Sequence, residues 1–249
     1  MASPPPLGAI EMSIEAGDGL ILKGILAYPE LPARSNYPLA ILAHQYPATS
    51  DSYAPLIEDL LDLGIAALAF DQRGHGASIT GRLGSLVIDS PVGFTSEAFA
   101  SAFISSAGKV GFNRIDDDIM RVASWGAVQN FVDPSRLMLV GASVGGTGAT
   151  LAAPLVPSLK ALLTFGSAGE LVWGAEGRAQ GRRAMERITT MTLHTSSDGD
   201  PFSAAANARA WSDGLPHARA HVVAGSGHAM AIYFEVRDEV LAFVGKALL

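Results

Sequence analysis

Apolar residues follow two different patterns along the chain, and each pattern predicts a different kind of structure. Over residues 8–30, apolar and polar residues alternate on both sides of Gly17-Asp18-Gly19, which predicts an antiparallel hairpin with its turn there. Beyond this point, short continuous apolar runs alternate with amphipathic segments, as buried strands and covering helices do. Together the two patterns predict a mostly parallel sheet with helices on both faces and an N-terminal hairpin.

The elements after the hairpin can be assigned one by one. The predicted strands are 37–44, 65–71, 136–140, 159–167, 188–196 and 218–225. The predicted helices are 51–64, 115–132, 146–155 and 231–248. We expect Asp51 or Ser52 to cap the first helix, and Asp133-Pro134 to form the turn before strand 136–140.

One segment, 79–114, interrupts this alternation. It is rich in Ser, Gly and Phe, and its phenylalanines are Phe94, Phe99, Phe103 and Phe112. A loop of this length is uncommon in a compact domain unless it has a function, such as covering a binding site. Two interpretations are therefore equally open. The segment is either a lid or pocket-lining insert, or a surface segment made of one or two short helices.

Composition narrows the class of protein. The 249 residues are 49% hydrophobic and 16% charged, so the chain can bury a sizeable core as one domain, 1–249. A formal net charge of −7 offers no basic surface for nucleic acid or an anionic membrane. The absence of cysteine excludes disulfides and thiolate metal ligands. The chain shows neither a signal-peptide pattern at its start nor an apolar run near membrane-span length, which predicts a cytoplasmic protein.

Ser143 lies at the centre of a Gly-x-Ser-x-Gly pattern with Gly141 and Gly145. The pattern alone is weak, because a chain this rich in glycine and serine can produce it by chance. Its surroundings are more specific: an apolar strand precedes the serine and a small-residue helix follows, as in the sharp turn that exposes a nucleophilic serine. Side chains at the two glycines would collide with the neighbouring strand and helix. The alternative is an ordinary glycine turn.

A nucleophilic serine needs a base and a group that orients the base, and later loops offer both. The segment "AGSGHAM" places His228 after the last predicted strand, and "TSSDGDPF" places Asp198 and Asp200 after the strand before it. These loops and Ser143 all follow the carboxyl ends of strands, where ligands bind in doubly wound sheets. The order Ser, Asp, His matches one known arrangement of such residues.

With these motifs the chain resembles the α/β-hydrolases, in particular the dienelactone hydrolase-like and carboxylesterase members. The similarity spans nearly the whole chain and is carried by "ILAHQYP", "AFDQRGHGAS", "GASVGG" and "GSGHAM". The resemblance implies an α/β-hydrolase fold in which Ser143 is the nucleophile, His228 the base and Asp200 the acid. It also implies an oxyanion hole made by the backbone N–H groups of Tyr46 and Val144.

The chain departs from the family pattern at one position near the expected oxyanion hole. Many relatives have His-Gly where this chain has His44-Gln45. We therefore expect Gln45 to contact substrate, together with Phe99 and Phe103 of the insert.

The choice between Asp198 and Asp200 rests on two opposing observations. Counting from the end of the strand slightly favours Asp198. The family's Asp-Pro-apolar pattern favours Asp200, which is followed by Pro201 and Phe202. Proline also biases the preceding residue toward an extended conformation, whereas Asp198 precedes a flexible glycine and is better placed to cap the turn. We predict Asp200 as the acid.

The remaining polar candidates have structural explanations. We expect His44 and His75 to hold loops together, His194 to lie behind the site, and His217 and His221 to be structural. The run Asp116-Asp117-Asp118 is explained by a favourable interaction with a helix dipole and not by a metal site. Asp71 and Arg73, in the turn after the fourth strand, are expected to form a structural ion pair or to clamp loops together.

The expected function is hydrolysis of carboxylic esters of short to medium acyl chain through an acyl-serine intermediate, with no cofactor and no metal. The expected partner is a small-molecule ester, without nucleic acid or membrane, and a homodimer is left open. Other serine-based acyl chemistry is the first alternative: thioester or amide hydrolysis, acyl transfer, perhydrolysis or carbon–carbon bond hydrolysis. The second alternative is a ligand receptor with slow turnover.

Overall fold

In a computed structural model, the described residues are 7–29, 36–93, 95–168 and 170–249, and ten strands among them form one mixed sheet. The strands are β1 (Leu7–Glu15), β2 (Ile21–Pro29), β3 (Tyr37–Ala43), β4 (Ala66–Asp71), β5 (Thr80–Gly81), β6 (Gly84–Ser85), β7 (Val132–Ala142), β8 (Leu159–Phe165), β9 (Met191–Ser197) and β10 (Ala218–Val223). Their order is β10-β9-β8-β7-β3-β4-β2-β5-β6, with β1 paired to β2. The pairs from β10 to β4 are parallel, and β2 is antiparallel to both β1 and β4. The predicted hairpin and mostly parallel sheet are confirmed.

Helices connect the strands of the parallel part. They are α1 (Ala54–Asp62), α2 (Ser96–Val110), α3 (Ile115–Ala127), α4 (Val144–Ala152), α5 (Glu170–Trp173), α6 (Gly177–Glu186), α7 (Ala204–Ser212) and α8 (Tyr233–Leu248). Alternate residues of the central strands point to opposite faces of the sheet. On β3, Leu39 and Ile41 face a core that includes α3, α4, α6 and α7, whereas Leu42 faces a core that includes α1 and α8. The sheet is therefore covered on both sides, as predicted.

Several element boundaries differ from the predictions. A 3₁₀ turn over Ser50–Tyr53 precedes α1, and neither element begins with a side-chain cap, so the prediction of Asp51 or Ser52 as the cap is wrong. Helix α3 ends at Ala127 and β7 already begins at Val132. The predicted Asp133-Pro134 turn lies within β7, where Asp133 accepts a hydrogen bond from the Ser135 N–H and the pairing with β3 shifts register.

The insert 79–114 has secondary structure of its own: the short β5–β6 hairpin, then α2, then a 3₁₀ turn over Phe112–Arg114. Thr95 caps α2 by accepting a hydrogen bond from the Ala98 N–H. Phe103 and Phe112 are buried in the main core and Phe99 is half-buried, while Phe94 lies outside the described residues. The insert is thus anchored to the sheet domain by its aromatic side chains, and its predicted role as a lid stays a prediction.

Of the two alternatives predicted for Asp71 and Arg73, the ion pair is wrong, and the loop clamp describes Asp71. Arg73 is 1% exposed and donates two hydrogen bonds to Asp118 of α3, at 2.7 and 3.0 Å, and one to Asp18 of the N-terminal hairpin at 3.0 Å. Burial raises the pKa of Asp118 to about 6 even though Arg73 acts to lower it. Asp71 instead accepts hydrogen bonds from the backbone N–H groups of Ser50 and Ala77. Arg73 therefore joins three distant segments in the interior.

Replacing Arg73 with methionine should lower the free energy of unfolding by about 3–5 kcal/mol, because Asp118 would be left buried without its partner. Urea denaturation measures this loss. Arg121→Met is the matched control, since Arg121 pairs with Asp117 at the surface, where an i,i+4 pair contributes only about 0.3–0.5 kcal/mol. Equal losses in the two variants would contradict the prediction.

Candidate active site

Ser143 lies at the turn between β7 and α4 in a strained backbone conformation. Its φ of 52° and ψ of −120° fall in a region that residues with a side chain rarely adopt. The turn is tight enough that a Cβ on Gly141 would lie 2.3 Å from the Gly145 carbonyl oxygen, and one on Gly145 would lie 2.2 Å from the Ala43 carbonyl oxygen. The predicted steric need for both glycines is confirmed, and the strand–turn–helix context is present.

Three side chains from separate loops form one line of hydrogen bonds. His228 Nε2 lies 2.8 Å from Ser143 Oγ, and His228 Nδ1 lies 2.7 Å from Asp200 Oδ2. A carboxylate at Nδ1 requires a proton on that nitrogen, which leaves the lone pair of Nε2 facing the serine hydroxyl. The Asp200 side chain is 1% exposed and that of His228 is 18% exposed, so the carboxylate is shielded while the imidazole edge can reach a ligand.

The two candidate carboxylates have different partners. Asp200 Oδ1 accepts a hydrogen bond from the Phe202 N–H at 2.8 Å, so the Asp-Pro-Phe turn fixes the carboxylate while Oδ2 faces His228. The exposed Asp198 accepts a hydrogen bond from the Gly225 N–H at 3.0 Å. This bond joins the loop that carries Asp198 and Asp200, the acid loop, to the loop that carries His228. The structure brings Asp200 to the histidine, and it places Asp198 in the turn.

Gly166, which the sequence did not single out, lies directly beneath the Asp–His pair. It has a φ of +55°, and a Cβ there would lie 2.7 Å from the Ala229 N, 3.1 Å from His228 Nδ1 and 3.2 Å from Asp200 Oδ2. Any side chain would therefore push against the hydrogen bond that orients the histidine. The signal in the sequence was only a glycine after a strand, which is too common to identify this role.

Val144 directly follows Ser143, and the chain after β3 that leads to Tyr46 passes next to Gly145 of the same turn, since a Cβ on Gly145 would meet the carbonyl oxygens of Ala43 and His44. Val144 is the first residue of α4, so its N–H has no acceptor within the helix. Among the described residues, the N–H of Tyr46 also donates to no protein acceptor. The Oε1 atom of Gln45 is buried without a hydrogen-bond partner in the described part of the chain. The N–H groups of Val144 and Tyr46 thus lack protein acceptors, as donors to a ligand must, whereas the buried position of Gln45 Oε1 leaves its contact with substrate a prediction.

The side chain of Tyr46 connects the loop after β3 to the insert. Its hydroxyl donates a hydrogen bond of 2.5 Å to the backbone carbonyl of Asp89, and its ring packs edge-on against Phe99 at 5.4 Å and Phe103 at 5.1 Å between centroids. Phe103 is 4% exposed, whereas Phe99 is half-buried. Of the two, Phe99 is the better placed to meet a ligand; their substrate contacts stay predictions.

Three buried histidines stand apart from the hydrogen-bonded line. His44 Nδ1 faces the Gln45 carbonyl at 2.8 Å and its Nε2 accepts from the Gln72 N–H at 2.9 Å, so the ring holds two loops together. Burial lowers the pKa of His44 to about 3, with a further contribution from His75. Burial likewise lowers the pKa of His75 to about 4 and that of His194 to about 3. These rings stay neutral at neutral pH and serve structure.

His194 lies in the middle of β9 and not beside the serine. Its Nδ1 lies 2.7 Å from Thr164 Oγ1, and its ring packs against Trp211. His217 Nε2 lies 3.2 Å from the Met185 carbonyl, a structural contact. Within the described ranges, no three His, Asp or Glu side chains are grouped as ligands of a metal ion would be.

Comparisons with known proteins identify the family and the fold of the chain. The family model described as "Serine aminopeptidase, S33", Hydrolase_4, matches residues 37–175, more than half of the chain. The chain belongs to this family of α/β-hydrolases. As a member it is a hydrolase by family, and the matched region includes the Tyr46 loop, Ser143 and the insert. No curated protein sequence matches the chain.

Solved structures are similar to this hydrolase over nearly its whole length. An acetyl xylan esterase from Paenibacillus sp. R4 has a TM-score of 0.71 at 19% identity, covering 97% of this chain and 84% of that one. A dienelactone hydrolase from Anabaena variabilis ATCC 29413 has a TM-score of 0.65 at 16% identity, covering 97% and 96%. At these identities the likeness establishes the fold. In the described part of this hydrolase, no helix is long and apolar enough to cross a membrane.

Proposed function

We propose that this hydrolase cleaves carboxylic esters of short to medium acyl chain through an acyl-serine intermediate. The observation that carries the proposal is the line from Asp200 to His228 to Ser143, with both hydrogen bonds at 2.7–2.8 Å and the serine on a strained turn. A nucleophile within reach of a base that is itself oriented by a third group is the arrangement that nucleophilic catalysis requires.

In the first half-reaction, His228 Nε2 takes the proton of Ser143 as Oγ attacks the ester carbonyl carbon. The carbonyl oxygen becomes an oxyanion, and the free N–H groups of Val144 and Tyr46 are the donors we assign to it. The protonated His228 then gives its proton to the alkoxide that leaves, so the products are a free alcohol and an acyl-serine. Asp200 keeps the imidazole in the required tautomer and stabilises its positive charge.

In the second half-reaction, water takes the position that the alcohol has vacated. His228 accepts a proton from this water as its oxygen attacks the acyl carbon, and the same two N–H groups hold the second oxyanion. Return of the proton to Ser143 Oγ releases a carboxylic acid. The net reaction is ester plus water to acid plus alcohol, and it uses no redox partner or cofactor.

The test is a comparison of turnover on p-nitrophenyl esters from acetate to octanoate, a lactone and an amino acid p-nitroanilide. We expect many turnovers per site on the esters, with kcat/KM highest within this short to medium range. A single turnover followed by arrest would favour a receptor. The p-nitroanilide is included because the family description names an aminopeptidase; faster cleavage of this amide than of the esters would overturn the proposal in favour of peptide hydrolysis.

A further inference from the structure

An aromatic pair, Phe99 and Phe202, lies beside the ring of His228. The Phe202 ring lies 4.5 Å from the His228 ring between centroids, and the Phe99 ring lies 5.4 Å from Phe202. Phe99 belongs to α2 of the insert, and Phe202 belongs to the loop that carries Asp200. Both rings are half-buried, so each still presents apolar surface. The insert and the acid loop thus meet over the histidine.

A hydrogen bond restrains the backbone of Phe202. Its N–H donates to Asp200 Oδ1 at 2.8 Å, the same carboxylate that holds His228 through Oδ2. The backbone of Phe202 is thereby held next to the Asp200–His228 pair, and its ring also contacts Phe99 of α2. Phe99 in turn contacts Tyr46 at 5.4 Å, so the aromatic pair spans the distance from the imidazole to the loop expected to hold the oxyanion.

The chemistry of the leaving group determines which part of an ester contacts the aromatic pair. Under the function proposed above, His228 must protonate the oxygen of the departing alcohol, so that oxygen has to come within about 2.6–3.2 Å of Nε2. The first carbon atoms of the alcohol then lie close to the imidazole ring, and Phe202 packs against the same ring. The acyl chain is directed elsewhere, because its carbonyl oxygen has to point at the N–H groups of Val144 and Tyr46.

We infer that the aromatic pair binds the alcohol portion of the ester, and that this hydrolase prefers esters of aromatic or bulky apolar alcohols. Offset or edge-to-face contact with two rings favours a flat apolar group over a methyl group. The inference rests on the proposed ester hydrolysis and adds to it the substrate feature that Phe202 and Phe99 select.

The test separates the two halves of the ester. An alcohol series of methyl, butyl and benzyl acetate and an acyl series of methyl acetate, butyrate and hexanoate are followed by acid release. Phe202→Ala should lower kcat/KM for benzyl acetate by about 10- to 100-fold, the scale on which apolar contacts discriminate substrates, with methyl acetate within about threefold of wild type. The hexanoate-to-acetate ratio should stay unchanged. Phe99→Ala should act in the same direction with a smaller effect, and Phe202→Leu should recover part of the preference.

Two controls make the result specific. Phe234→Ala removes a ring that is 73% exposed on α8 and contacts Tyr233, so it should leave both series unchanged. Hydrolysis of the acetyl-enzyme is common to all acetates. Its rate constant should be the same in wild type and Phe202→Ala, since the alcohol has already left.

Two results would overturn the inference. An equal loss of kcat/KM on every ester would mean that Phe202 only supports His228, and a change confined to the acyl series would place the pair on the acyl side. Wild-type protein that hydrolyses none of the esters would instead refute the proposed function, before any variant is compared.

Discussion

Replacing Ser143 with alanine should lower kcat for an activated ester by on the order of 10⁶, the loss produced by removing the nucleophile in a serine protease. The expected loss is large because the remaining N–H donors and binding contacts cannot substitute for a covalent acyl acceptor. Rates of p-nitrophenyl acetate hydrolysis, measured at enzyme concentrations high enough to detect residual activity, give the ratio directly.

The same variant should remain folded. Ser143 Oγ contacts His228 Nε2, and alanine keeps the Cβ that the strained turn already accommodates. Urea unfolding of Ser143→Ala should therefore match wild type within about 0.5 kcal/mol, as for changes away from packing and buried networks. A fluorophosphonate probe should label Ser143 and no other serine, and should leave Ser143→Ala unlabelled. An active alanine variant, or labelling at another serine, would refute Ser143 as the nucleophile.

The sequence was most informative where local chemistry determines local structure. The turn at Ser143 could be predicted because Gly141 and Gly145 are close to it in the chain and each has a steric reason to be glycine. The sheet could be predicted because continuous apolar runs are required for strands buried on both faces. The choice of Asp200 could also be predicted, because Pro201 restrains the residue before it. In the structure, Asp200 is the carboxylate that lies against His228.

Contacts between distant segments were not predictable in the same way. Arg73 pairs with Asp118, 45 positions later, and with Asp18, 55 positions earlier, and not with the nearby Asp71. A buried guanidinium is stabilised by whichever carboxylates the tertiary fold brings to it, and sequence distance carries no information about that. The packing of Phe202 against His228 is of the same kind, because it depends on how two loops approach each other above the sheet.

The end points of elements were also less certain than their existence. Helix α1 begins after a 3₁₀ turn and without a side-chain cap, although Asp51 and Ser52 are good capping residues. The Asp71 carboxylate accepts hydrogen bonds from Ser50, through both the backbone N–H and the hydroxyl. A long-range partner thus takes the place of the local cap at this helix start.

Asp200→Asn should lower kcat on the same activated ester by on the order of 10⁴, with KM little changed, as expected when the group that orients a catalytic histidine is lost. The structure supplies the reason. The Phe202 N–H must still have an acceptor, so the amide oxygen of the new side chain would take the place of Oδ1 and turn its NH₂ group toward His228. An NH₂ group facing Nδ1 forces the imidazole proton onto Nε2, which then cannot accept the proton of Ser143.

Asp198→Asn is the matched variant, because it makes the same chemical change two residues away. Asp198 accepts one hydrogen bond from the Gly225 N–H, and an amide oxygen can accept the same bond, so the loss in kcat should be about tenfold or less. Both variants keep side-chain size, and urea unfolding checks that both remain folded. The two variants are measured side by side. A large loss of kcat in Asp200→Asn together with a small loss in Asp198→Asn assigns the acid to Asp200 in the Asp-Pro-Phe turn. The reverse order would move the acid to Asp198 and refute the restraint argued from Pro201.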